Sequence, residues 1–209
     1  MAGTGFEPVG VLGGRPFTGS STRYAISATL ATKICYGQPV ALTTDGVIIP
    51  LTVTPVIASE CIGIFAGGSY IDSDGQRQFA MKVPATPGVG AFGYVYDDPF
   101  TLFRAKILDG SGADTTLTQA AVGATTTMDV TTAELATSSG RCGYGVSSAG
   151  VATTADQCFR IMRLENDHIS TSEMMLDYID PVGSPPTFTH AIVMFNVGLH
   201  FYNNAGLGI

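Results

Sequence analysis

Ile62-Gly-Ile-Phe-Ala-Gly-Gly-Ser-Tyr-Ile71, then Asp72-Ser-Asp-Gly75, then Gln76-Arg-Gln-Phe-Ala-Met-Lys-Val83: this is the stretch on which the fold turns. Two runs rich in β-forming residues flank a short polar turn. Its Asp-Gly step provides the side-chain acceptor and the permissive backbone that a tight reversal needs. In the second run Arg77, Phe79, Met81 and Val83 alternate with Gln76, Gln78, Ala80 and Lys82. A period of two is the signature of a strand with one packed and one polar face, and the Phe79 set reads as the packed one. Gly63, Gly67 and Gly68 within the first run mark bulges or close backbone approaches.

The same grammar extends outward in both directions. Ile34–Leu42 reads as a strand, Thr44-Asp45-Gly46 as a turn and Val47–Ile49 as the returning strand. Ala91–Tyr96 and Phe100–Ile107 flank Asp97-Asp98-Pro99 as a further hairpin. Phe92, Tyr94 and Tyr96 share one face of it, and Phe103, Ala105 and Ile107 share a face of the partner. Short strands are predicted near Thr116–Ala120, Thr127–Val130 and Cys142–Val146, and Cys158–Leu164 is predicted to close a barrel. With 26 glycines and 11 prolines among 209 residues, long helices have little room. The expectation is an all-β protein, a barrel or a sandwich.

Both ends of the chain look different. Residues 1–32 carry isolated anchors, Phe6, Val9, Val11, Leu12, Phe17 and Tyr24, on a Gly- and Thr-rich tether with no sustained period. They are expected to form an extended N-terminal arm, and residues 33–209 a single β-rich body. Residues 165–190 hold Glu165, Asp167, Glu173, Asp177 and Asp180 without any Lys or Arg. Within that acidic loop, Ser170-Thr-Ser-Glu173 fits a capping box and predicts one short helix over about 171–178, ending before Pro181. His190–Tyr202 is predicted as the last strand. Its odd positions are wholly apolar; its even positions His190, Ile192, Met194, His200 and Tyr202 are mixed with Asn196 and Gly198. A solvated face would be more uniformly polar, so another subunit or the chain's own arm is expected to cover it, with sandwiching inside the same chain as the alternative.

Composition narrows the function. Only 13% of residues are charged against 45% hydrophobic, and mean hydropathy is +0.28. So thinly charged a surface is expected to be covered by other protein, either copies of the same chain or a larger lattice. No apolar run reaches the ~18 residues of a membrane span, and the first residues lack the basic and apolar regions of a signal peptide. A net charge of −7 with ten scattered Lys and Arg argues against direct nucleic-acid binding.

Chemistry-bearing motifs are sparse. Cys35, Cys61, Cys142 and Cys158 form no Cys-x-x-Cys pair and are expected to be reduced and semi-buried. A metal trio with His168 would require the histidines to converge, and His190 and His200 on one straight strand would stand ~33 Å apart, too far to share a metal within one copy unless that strand bends back. The Asp72 turn departs from a calcium loop at Gln76, Arg77 and Val83, and no Gly-x-Ser-x-Gly elbow is present. No catalytic residue, metal site or cofactor is expected. Arg104 and Lys106, and Arg160 and Arg163, are candidates to pair with acids on a partner or to guard a strand edge.

Several stretches resemble head decoration or cement proteins of tailed bacteriophages. They are Gly5-Phe-Glu-Pro-Val9 with Gly14-Arg-Pro-Phe17, Gly37-Gln-Pro-Val-Ala-Leu42, Gly63-Ile-Phe-Ala-Gly67 with Tyr70, the turn leading into Gln78-Phe79, and Ala91–Pro99. They span roughly the first half of the chain. The resemblance implies a β-barrel or β-tulip-like body, a homo-oligomer (dimer or trimer), and attachment to the outside of the virion head across joints between major capsid subunits. It also implies a non-enzymatic structural role, with synthesis in the host cytoplasm. On that reading Phe6, Pro8, Arg15, Phe17 and Tyr24 grip the lattice, and alanine at Phe6 and Phe17 would leave the body folded. The alternatives are a tail-tube or head-fibre subunit, a small β-barrel ligand binder, or a secreted adhesin.

Overall fold

The computed structural model describes residues 5–51, 61–130, 140–153, 157–166, 187–196 and 200. Its strands, in chain order, are β1 (Glu7–Val11), β2 (Thr22–Ile26), β3 (Ile34–Cys35), β4 (Pro39–Leu42), β5 (Val47–Pro50), β6 (Cys61–Ile71), β7 (Arg77–Ala80), β8 (Lys82–Val83) and β9 (Phe92–Tyr96). There follow β10 (Thr101–Leu108), β11 (Leu117–Thr118), β12 (Thr125–Thr126), β13 (Met128–Val130), β14 (Tyr144–Ser147), β15 (Phe159–Glu165), β16 (Thr187–Phe188) and β17 (His190–Phe195). The protein is all-β, as the turn grammar predicted, and its strands close into barrels rather than stacking as a sandwich.

The first barrel comes from residues 22–96. Strands β4, β5, β2, β9 and β6 pair in that order, and β4 also pairs with β6, so the ring closes; β7 is added outside along β6. Its interior is filled by Ile26, Val40, Ile48, Ile62, Phe65 and Val95, with Leu30, Ile34 and Val83 in the same cluster. So narrow a ring has room for the Phe65 benzyl group only where glycine faces it. A Cβ on Gly93 would lie 2.6 Å from Phe65 Cε2, and one on Gly68 would lie 3.2 Å from Phe65 Cζ and 2.5 Å from the Phe92 carbonyl oxygen. Gly68 belongs to the run that opens the sequence reading, where it was expected to mark such an approach. Bulges do further work. Ile62 is the extra residue between the Ala41–Cys61 and Val40–Gly63 pairs, and Ala66 plays the same part opposite β9. Re-aiming the strand in this way lets Ile62 and Phe65 point into the first barrel while Cys61 and Ile64 join the other core.

The second barrel is built by a seven-stranded sheet ordered β12-β15-β17-β10-β14-β13, with β1 on the edge of β10 beside β14. Only Thr127 separates β12 from β13, so the two ends of the sheet are one continuous piece of chain and the sheet nearly closes. Ser147 N donates to Thr127 O at 2.9 Å, and Thr126 Oγ1 donates to Ser147 O at 2.7 Å. Phe103, Ala105 and Ile107 of β10 face inward as their alternation predicted, against Ala191, Val193 and Phe195 of β17. In β15 a bulge between Ile161 and Arg163 shifts the parity, so that Ile161 and Leu164 are both buried and Arg160 and Arg163 both exposed.

Several expectations change. Among the described residues, the first thirty-two are not an arm: β1 pairs with β10 and β2 with β5 and β9, so this segment threads both barrels. The physical reason is that Phe6, Ile26 and Leu30 find full burial inside the fold, which a tether could not give them, while Val9 and Leu12 stay exposed. Ala91–Tyr96 and Phe100–Ile107 are not a hairpin. β9 belongs to the first barrel and β10 to the second, and the Asp97-Asp98-Pro99 turn is the crossing between them. The first barrel is therefore an insertion between β1 and β10, neighbouring strands of the second, and Leu12 N donates to Phe100 O at 2.9 Å where the chain leaves and returns. Ile34–Leu42 is two strands broken at Tyr36-Gly37-Gln38. The face of β7 read as packed is turned outward, with Phe79 71% exposed. Strand β17 ends at Phe195, and residues 197–199 and 201–202 of the predicted strand lie outside the described residues. The helix expected over 171–178 lies outside the described residues.

Candidate interaction surface

The thiols and the two described imidazoles, His190 and His200, are buried. All four cysteines are reduced and buried. Burial raises the Cys35 and Cys61 thiols above their ordinary range and pushes Cys158 up to about 12. Between the barrels, Gln38 Nε2 donates to Tyr144 Oη at 2.8 Å, and that hydroxyl donates to Leu51 O at 3.1 Å. Gln38 Oε1 accepts from Cys35 N at 3.1 Å, so this buried polar chain is consumed in joining the halves of the molecule.

The residues expected at partner contacts scatter. Phe6 is 0% exposed, and its ring stacks on Phe159 at 4.7 Å in the second core. Pro8 is half-buried in β1 opposite Phe103. Arg15 is exposed and Phe17 half-buried, its ring edge-on to Tyr96 at 5.0 Å; both line a cleft of about 340 Å³ with Asp98 and Thr101. Tyr24 Oη donates to Asp97 Oδ2 at 2.8 Å. Arg15, Phe17 and Tyr24 thus gather near the crossing between the barrels, whereas Phe6 is removed from any surface. His190, Ile192 and Met194 are buried within the chain itself, which excludes them as an open oligomer face. His190 Nδ1 lies 3.1 Å from Thr189 Oγ1. His200 Nε2 donates to Ile62 O at 3.0 Å, and its ring lies 4.9 Å from that of Phe195. Burial lowers the His200 imidazole below its usual range, against the opposing pull of that hydrogen bond and of Asp97 and Asp98. Tyr202 lies outside the described residues. Among the described residues no group of His, Cys, Asp and Glu is arranged to hold a metal ion.

Most of the basic groups singled out in the sequence are already paired. Arg104 and Arg163 both reach Glu165, at 3.7 and 2.6 Å, and Lys106 meets Asp114 at 2.6 Å; Arg141, which the sequence did not single out, meets Glu7. Arg160 donates to the Gly123 carbonyl at 3.2 Å. They are spent within the chain.

A different surface remains on the outer side of the first barrel, across β2, β9, β6 and β7. Directly paired residues of antiparallel strands share a face. The pairs Arg23–Tyr94, Ser69–Phe92, Ser69–Phe79 and Ile71–Arg77 therefore put Arg23, Tyr94, Phe92, Phe79, Ile71 and Arg77 on one side. Phe92 sits at the centre, its ring edge-on to Phe79 at 6.2 Å and to Tyr94 at 5.7 Å. The Arg23 guanidinium lies over that ring at 3.8 Å, and that of Arg77 at 5.7 Å. The alternation of 92, 94 and 96 was legible, but its outward sense was not. The deciding residue is Gly93, which faces Phe65 inside and leaves the flanking aromatics no direction but out.

The fold and this surface together define an all-β, two-barrel protein with an aromatic–arginine face. Comparison with known protein families, curated proteins and solved structures finds no match. No described helix is long and apolar enough to cross a membrane.

Proposed function

We propose that the protein is a structural virion component that binds the outside of a phage head and stabilises its lattice by bridging capsid subunits. The observation that carries this reading is the contrast between a sealed interior and an open apolar exterior. Thiols and both described histidines are buried, while Phe79, Val89, Ile71, Met81, Tyr94 and Phe100 stand in solvent. An enzyme exposes its reactive groups; a protein that works by being covered exposes apolar area. The low charge fraction and the resemblance over the first half of the chain point the same way. Arg15 and Phe17 remain candidates for lattice contact, and Phe6 does not.

The mechanism is mass action. A ligand that binds only the assembled shell stabilises it by about 2.7 kcal/mol per site at a concentration 100 times Kd, multiplied over every site. Co-sedimentation of the purified protein with empty heads, read against a bare-head control in a thermal-rupture assay, tests it. Saturable binding with a raised rupture temperature supports the reading; no binding at micromolar protein overturns it.

A further inference from the structure

We infer that the outer face of the first barrel around Phe92 is a docking site for an acidic protein segment, one carrying Asp or Glu beside a bulky apolar side chain. The inference rests on the shell-binding reading and names the partner chemistry for it. Arg23 and Arg77 come from strands far apart in sequence and converge on one ring, so their guanidinium carbons lie within the sum of 3.8 and 5.7 Å of each other. Neither makes an ion pair among the described residues, although the chain carries 17 acidic residues against ten basic ones. Two like charges held together by a protein of opposite net charge form a ready site for one or two carboxylates, which guanidinium forks bind in a planar, bidentate manner. Their stacking on Phe92 presets the forks and lowers the ordering cost of binding. Beside them Phe79 and Ile71 offer apolar area, and Arg77 is steadied by donating to Ser69 Oγ at 3.2 Å.

A protein partner fits better than a nucleic acid. Arg23 already covers the Phe92 ring, which leaves no open plane there for a base. A net charge of −7 repels an extended polyanion, while a short acidic segment brings few charges and meets the two arginines locally.

Anisotropy titration of a fluorescein-labelled Gly-Ser-Glu-Phe-Glu-Ser-Gly peptide against the full chain tests this, with the Gln-for-Glu peptide and an oligothymidylate as competitors. The Glu peptide is expected to bind, to weaken with salt, and to lose ~tenfold or more in affinity to the R23Q/R77Q double variant. Phe79→Ser should weaken it without changing the salt slope. All three positions are exposed, and circular dichroism melts confirm folding. Equal binding of the Gln peptide, unchanged affinity in the double variant, or preference for the oligothymidylate overturns the assignment. Heads separate the two readings. If the wild type decorates heads and R23Q/R77Q does so equally, this face is not the contact and the shell reading stands. If the peptide binds as described but heads do not, the shell reading falls and the face stands.

Discussion

Phe6→Ala decides whether the N-terminal segment is a tether or part of the fold. The Phe6 side chain is fully buried, stacked on Phe159, which stacks in turn on Phe195 at 5.4 Å, with Phe103 edge-on to Phe195 at 5.5 Å. Removing one ring from this four-ring row forfeits its transfer free energy and leaves a cavity. The backbone on either side holds its position, because Phe6 N donates to Gly37 O at 3.0 Å and Glu7–Val11 is paired along β10. Large-to-small changes of this kind cost about 3–5 kcal/mol. Against a total stability of about 5–15 kcal/mol, that is a fifth of the margin or more. Urea denaturation followed by circular dichroism should show the midpoint falling with little change in slope. Phe17→Ala, a half-buried ring meeting Tyr96 edge-on, should cost much less. A loss below about 1 kcal/mol for Phe6→Ala would refute the placement and restore the arm.

Three further outcomes follow from the same packing. Gly93→Ala forces a methyl group against Phe65 and should destabilise by about 1–3 kcal/mol; pairing it with Phe65→Leu should recover part of that loss, and strict additivity in urea titrations would contradict the barrel interior. Native protein at neutral pH should leave all four thiols unmodified by a thiol-specific dye over minutes and release all four in denaturant; rapid labelling of any one in the native state would contradict their burial. His200 is held neutral in the folded state, whereas the unfolded chain takes up its proton below pH ~6.5. Stability is therefore full above that value and falls as the pH drops from it toward the lower folded pKa, by at most about 1.4 kcal/mol per pH unit. His200→Gln should flatten that part of the profile, and an unchanged profile would count against the assignment.

How much of this was legible depends on whether a feature is local. The Asp72–Gly75 and Thr44–Gly46 turns were readable because their chemistry sits within a few residues: Asp72 Oδ1 accepts from Asp74 N and Gln76 N at 3.0 and 2.8 Å. The Phe103–Ile107 alternation was readable because no bulge interrupts it. The orientation of alternating residues was harder. Arg77, Phe79 and Met81 look like a core face by hydropathy, but β7 lies outside the closed ring, where neither side meets a core. The Asp97–Pro99 turn has good hairpin chemistry and still does not make a hairpin, because each flanking strand finds more partners in a different barrel. Anchors scattered through the first thirty-two residues mimic a tether because their partners lie as far off as β9, β10 and Phe159.

The aromatic–arginine face was beyond sequence reading for the same reason in a stronger form. Arg23, Phe92 and Arg77 come from β2, β9 and β7, and what unites them is the pairing of β9 between β2 and β6, with β7 beyond. That pairing depends in turn on the closed ring, and the ring can close around Phe65 only because Gly93 and Gly68 lack side chains. The first barrel also has its own hydrogen-bonded circuit and its own interior cluster, yet Ala41, Leu51, Cys61 and Ile64 belong to the second core, and the Gln38–Tyr144–Leu51 chain crosses between them. Strand β6 runs from that shared core at Cys61 to the exposed end at Ile71. It fixes the outer face to the body as one piece, so that a force applied at Phe92 is borne by the barrel walls rather than by a flexible connection.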